Sequence, residues 1–205
     1  MSRRSMSDQL GEGADGAEGN ERLTAVVAVV LLVLLFLVGL TVPVAYSQTR
    51  WHVFLGVVVI PPVLLKVVST TWRFVKYYGG NSSYQLKGPP ALLLRLLGPV
   101  IVVLTLIMLF SGVGLVIVAP SSMHPRLSQI HQLSFILWFA ATTVHVLGHL
   151  KDTAAFAPRD FVHRTRRQVR GASLRAGATL CSVALGLAGG WAVLPYVHNI
   201  ANFGH

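Results

Sequence analysis

Acidic residues are scarce: seven Asp and Glu stand against seventeen Lys and Arg in 205 residues, and only 12% of the chain is charged. A soluble domain of this size needs more polar surface than that, so the composition argues against one. Cysteine is scarcer still. Cys181 is the single copy, which excludes an intrachain disulfide. The polar segments contain no nucleotide-binding glycine motif, P-loop or zinc-ligand spacing, and they are too short to fold as separate domains. What the chain has instead is hydrocarbon: 53% hydrophobic residues and a mean hydropathy of +0.63.

Crossing a hydrocarbon layer about 30 Å thick takes about 20 apolar residues. Five runs qualify: Leu23 to Val44, Val53 to Phe74, Leu92 to Val118, Ile130 to Leu150 and Leu174 to Val197. Lipid offers no hydrogen-bond partners, so each run must be helical. The predicted fold is an all-α integral membrane protein of five transmembrane helices. Spans two to five are expected to form a four-helix bundle, with the N-terminal span peripheral to it.

The net charge of +10 is explained by topology rather than by nucleic acid, because the basic residues sit beside the spans. Fourteen of them flank the N-terminal segment, the loop Lys76 to Pro90 and the loop Lys151 to Arg170. Only Arg50 and Arg126 lie on the opposite side. The bias of Lys and Arg toward cytoplasmic loops therefore predicts an inside N-terminus and an outside C-terminus in a bacterial inner, or plasma, membrane.

Residues 1–22 are rich in Gly, Ser and acidic groups and are expected to form a disordered cytoplasmic tail. The transmembrane domain then covers 23–200, and 201–205 form a short outer tail. The first span, Leu and Val on nearly every face, reads as an anchor in contact with lipid. Pro61 and Pro62 predict a kink in the second. Trp72, Lys76, Tyr77 and Tyr78 form an interfacial belt. Asn81-Ser82-Ser83 matches a glycosylation acceptor but falls on the predicted cytoplasmic side. Gly112 and Gly114 in the third span, and Gly177, Gly186, Gly189 and Gly190 in the fifth, suit close helix packing or the approach of a flat cofactor.

The chemistry-bearing residues are histidines. At 100° and about 1.5 Å per residue, His145 lies within about 40° of His131 and about 21 Å farther along the same helix. His149 returns to that face one turn later, and Phe135, Trp138 and Thr142 share the stripe. His52 opens the second span at the depth at which His131 opens the fourth. Haem b commonly takes axial imidazoles from two helices, since one straight helix cannot reach both faces of the ring. His52 and His131 are therefore the candidate iron ligands, with Gly56 leaving room one turn on. No Cys-x-x-Cys-His attachment motif is present, so any haem is non-covalent. His145 and His149, four apart, could chelate a small ion but cannot be trans ligands to one haem. Fourteen residues after His52, where a second ligand would stand, is Lys66. Its amine either snorkels to the headgroups or binds a propionate or quinone oxygen.

Over Trp51 to Leu150, through His52-x3-Gly56 and His131-x13-His145 with His149, the chain resembles the membrane cytochrome b subunits of bacterial oxidoreductases, including the ferric-reductase-like group. The resemblance implies one or two haem b groups between four core helices. It also implies electron transfer between a quinol or other donor and a separate redox partner protein. His52 and His131 would be the outer ligands and His145 or His149 an inner one, with Lys66 a departure at the fourth position. Trp138 and Phe135 would line the route, and Arg50 or Arg126 could meet propionates. Such a chain is at most the membrane subunit of an oxidoreductase and could form a homodimer. Two other readings stand beside it: a non-enzymatic scaffold or assembly protein, and a small metal or ion transporter using His145, His149 and Lys66.

Overall fold

A computed structural model describes the backbone of residues 3–45, 49–85, 92–117, 123–161 and 171–201, and the side chains of residues 17–45, 49–85, 95–117, 123–148 and 171–197. Among the described residues there is no strand. The helices are α1 (Arg3–Thr41), α2 (Thr49–Tyr78), the short α3 (Ser82–Gln85), α4 (Leu92–Ile117), α5 (His124–Phe161) and α6 (Ala172–Ala201), with a 3-10 turn at Val42–Val44 after α1. All but α3 contain a stretch long and apolar enough to cross a membrane: Ala17–Val44, Thr49–Tyr78, Arg95–Ile117, His124–Gly148 and Ala172–Val197. Five all-α spans are thus present as expected. Their outward faces carry bare hydrocarbon, with Phe110 73% and Leu180 69% exposed. Such faces require lipid as their solvent.

The Pro61-Pro62 pair lies inside α2 without ending it, and Pro62 is fully buried. Termination comes at Gly80, whose φ of +80° is open to glycine at little cost. The Gly80 and Asn81 amides then donate to the Tyr77 and Lys76 carbonyls, so the last turn of α2 is capped.

The closest packings are α2 with α6, α4 with α5, and α1 with α2. Small residues make the first of these. A Cβ at Gly186 would collide with the Val58 carbonyl, one at Gly190 would come within 2.8 Å of the Phe54 ring, and one at Gly189 would meet Val57 at 3.3 Å. In lipid the hydrophobic effect does not drive helices together, so this close backbone approach supplies the dispersion contact that holds α6 to α2. Gly186, Gly189 and Gly190 therefore serve helix packing, whereas Gly177 has open space at its Cβ position.

The first span is not peripheral. α1 packs against both α2 and α5 and so joins the α2–α6 pair to the α4–α5 pair. The main apolar cluster of the protein is Val27 and Leu31 of α1 against Val59 and Val63 of α2. A lipid-facing role holds only for one face of its C-terminal half, where Leu32, Val33, Phe36 and Leu40 are exposed. The expected boundary of the tail also moves, since α1 is helical from Arg3 and Ala17 and Arg22 are buried. Local partners explain the extension: Glu18 pairs with Arg22 one turn on at 2.6 Å, and Asn20 donates to the Ser69 carbonyl of α2 at 3.0 Å.

Candidate functional site

The end of the bundle that the charge pattern assigns to the outside brings together the C-terminus of α1, the N-terminus of α2, the C-terminal half of α4 and the N-terminus of α5. There His52 and His131 meet. Their ring centroids are 6.4 Å apart and their planes stand at 88°. They come from α2 and α5, as their matching depth predicts, and both are partly buried.

Each ring is held through Nδ1. His131 Nδ1 lies 3.1 Å from the Met108 carbonyl and 3.2 Å from Ser111 Oγ, both on α4. A carbonyl can only accept, so the ring must donate from Nδ1. His52 Nδ1 lies 2.8 Å from Thr41 Oγ1, at the end of α1. The Thr41 hydroxyl donates to the Val38 carbonyl, 2.6 Å away, which leaves its oxygen able to accept from His52. Both networks thus favour a proton on Nδ1, and in the neutral ring that leaves the lone pair on Nε2. This is the state of a metal-ligating histidine whose other nitrogen is held by a backbone or side-chain acceptor.

Gly112 is explained by the same geometry. A Cβ there would sit 3.0 Å from His131 Cε1, so the glycine lets the ring dock on α4. Gly114 faces Leu127 of α5 at ordinary contact distance and serves helix packing. Gly56, one turn below His52, has nothing within 4 Å of its Cβ position.

The remaining sequence-predicted residues lie elsewhere. Trp138 is buried between α4 and α5, with its indole Nε1 donating to Thr105 Oγ1 at 2.8 Å; that bond ties the two helices together below His131. Phe135 stacks loosely on Phe139, centroids 5.9 Å apart. Lys66 is in the opposite half of α2 and donates from Nζ to the Thr24 carbonyl of α1 at 2.8 Å. There it joins a polar cluster in which Thr24 Oγ1 donates to the Asn20 carbonyl at 2.8 Å and lies 3.2 Å from Ser69 Oγ. His145 is partly buried on α5, about 21 Å along the helix from His131. The side chain of His149 lies outside the described residues, as do those of His163, His198 and His205. Arg50 and Arg126 are exposed near the histidine end.

Sequence reasoning missed Thr41, Met108 and Ser111. Ser111 precedes Gly112 in a run of small residues whose composition suggests packing alone, and a backbone carbonyl such as that of Met108 leaves no mark on a sequence. Among the described residues no three His, Cys, Asp or Glu side chains converge. His52 and His131 thus stand as a pair of imidazoles. The chain matches no known family profile, no characterised protein and no solved structure.

Proposed function

We propose that the chain is a haem b-binding electron-transfer subunit of a bacterial inner membrane, in which His52 and His131 would hold one haem through its iron. The observation that carries the reading is two Nδ1-anchored imidazoles from different helices, 6.4 Å apart between centroids. A metal–imidazole bond is about 2.0–2.1 Å long. Two such bonds, with the half-widths of two rings, would span roughly 6 Å between centroids, close to the separation of the pair. When bound, haem supplies a one-electron carrier, and the protein's part is ligation, tuning and exclusion of water. His52 and His131 bind; Thr41, the Met108 carbonyl and Ser111 orient them; α4 and α5, tied by Trp138 and Thr105, keep His131 at fixed depth. Electrons pass to or from a quinol or a separate redox protein.

One haem per chain is favoured over two. At the α2 position where a second ligand would stand, the Lys66 amine is committed to the Thr24 carbonyl. Titration of haem into the apo-protein is expected to saturate at a stoichiometry close to one. Saturation at two would contradict this assignment of Lys66.

The N-terminus is assigned to the cytoplasm and the C-terminus to the outside by the asymmetry of fourteen basic residues against two. A reporter that matures only outside the cytoplasm, fused after His205, is expected to be active. Activity of a cytoplasm-only reporter at the same fusion would reverse the assignment.

A further inference from the structure

We propose that Thr41, on the first span, is a positioning residue that fixes His52 as the Nδ1–H tautomer and so presents its Nε2 lone pair for ligation. The proposal deepens the haem reading and rests on it for the purpose of the lone pair, although the tautomer itself does not depend on haem. The two rings are anchored unequally. His131 donates to a main-chain carbonyl, which no side-chain substitution removes. Among the described residues His52 has only the Thr41 hydroxyl as acceptor for its Nδ1 proton. That hydroxyl can accept because its own proton is drawn to the Val38 carbonyl, at 2.6 Å. A three-atom relay, carbonyl to hydroxyl to imidazole, thus runs from the last turn of α1 into the site.

Without the hydroxyl, no described neighbour of His52 Nδ1 favours one tautomer over the other. An Nε2–H ring offers no lone pair on the side away from Thr41, and ligation then requires the proton to move first. An acceptor at Nδ1–H also makes the ring a stronger donor at Nε2, which favours the oxidised over the reduced state of a ligated iron. Thr41 therefore acts on both the availability and the strength of the ligand. Residues at the same level of the other helices do not substitute for it, because Ser111 is already engaged with His131 and Met108. α1 thereby becomes a third helix of the site, in a span whose Leu and Val composition suggested only an anchor.

The test uses Thr41→Val, which keeps the shape and removes the hydroxyl, and Thr41→Ser, which keeps the hydroxyl. Thr41→Ala, with no added bulk, repeats the comparison should the valine variant fail to fold. The first readout is the ¹⁵N ring signal of His52 in the haem-free, detergent-solubilised full chain, assigned by its absence in His52→Gln. Wild type and Thr41→Ser are expected to show Nδ1–H in large excess. Thr41→Val or Thr41→Ala should lower the tautomer ratio by about fivefold, the factor that a net hydrogen bond of about 1 kcal/mol carries. An unchanged ratio in the variants lacking the hydroxyl overturns the proposal, as does an equal drop in Thr41→Ser. The second readout is the midpoint potential of haem-loaded protein, which should rise in Thr41→Val and hold in Thr41→Ser; the same potential in all three overturns the tuning role. Because the first readout needs no haem, a colourless chain with a Thr41-dependent tautomer supports this proposal while contradicting the functional reading alone.

Discussion

His52→Ala and His131→Ala, made singly, are each expected to abolish the low-spin b-type spectrum and leave high-spin haem or none. Each substitution removes one of two imidazoles that stand 6.4 Å apart, and neither ring has a described neighbour able to take its place. Ligand loss should weaken haem retention by more than the roughly 10- to 100-fold that removal of an outer-shell partner costs. His124→Ala and His205→Ala control for general effects of losing a boundary histidine and should leave the spectrum near wild type. Dithionite-reduced spectra of the four variants, purified in parallel, make the comparison. Unchanged low-spin bands in both ligand variants would exclude the pair.

Gly186→Leu is expected to have the largest effect on stability of any single substitution in the spans. A Cβ at this position alone would overlap the Val58 carbonyl, and the obstacle is backbone rather than the movable end of a side chain. Overpacking in a well-filled core typically costs 1–3 kcal/mol, and about 3 kcal/mol or more is expected where the main chain itself must separate. α2 would be pushed from α6, and since α2 carries His52, haem affinity should fall together with thermal stability. Gly177→Ala is the contrast. Its Cβ position is open, and Ala is the better helix former by about 1 kcal/mol in aqueous hosts, so the variant should be neutral or slightly stabilised. Thermal unfolding in detergent, with size-exclusion profiles, distinguishes them. Gly186→Leu with wild-type stability would remove the close α2–α6 contact from the account.

Much of this was legible in the sequence because lipid imposes simple rules. Apolar runs had to be helices, five of them, and the matching depths of His52 and His131 pointed to one site. The order of packing was not legible. Spans such as LTAVVAVVLLVLLFLVGL are apolar on every side, so periodicity cannot say which face is buried, and the place of α1 between α2 and α5 left no trace in its composition. Its polar ends were the overlooked signal. Asn20 and Thr24 meet Ser69, the Thr24 carbonyl accepts from Lys66, and Thr41 holds His52. Lys66 illustrates the same limit: snorkelling and cofactor contact were both reasonable for an amine at that depth, but only the neighbouring helix could supply the Thr24 carbonyl. Trp138 read as the lining of an electron route, yet its indole N–H needed an acceptor, and Thr105 on α4 provides it.

The central claim is that His52 and His131 hold a non-covalent haem b, and the reduced-minus-oxidised absorption spectrum of the full chain, purified in detergent from haem-replete cells, tests it most directly. The account predicts the sharp bands of low-spin, bis-imidazole haem, with a b-type pyridine haemochrome from the same sample. A well-folded, monodisperse and colourless preparation would contradict it.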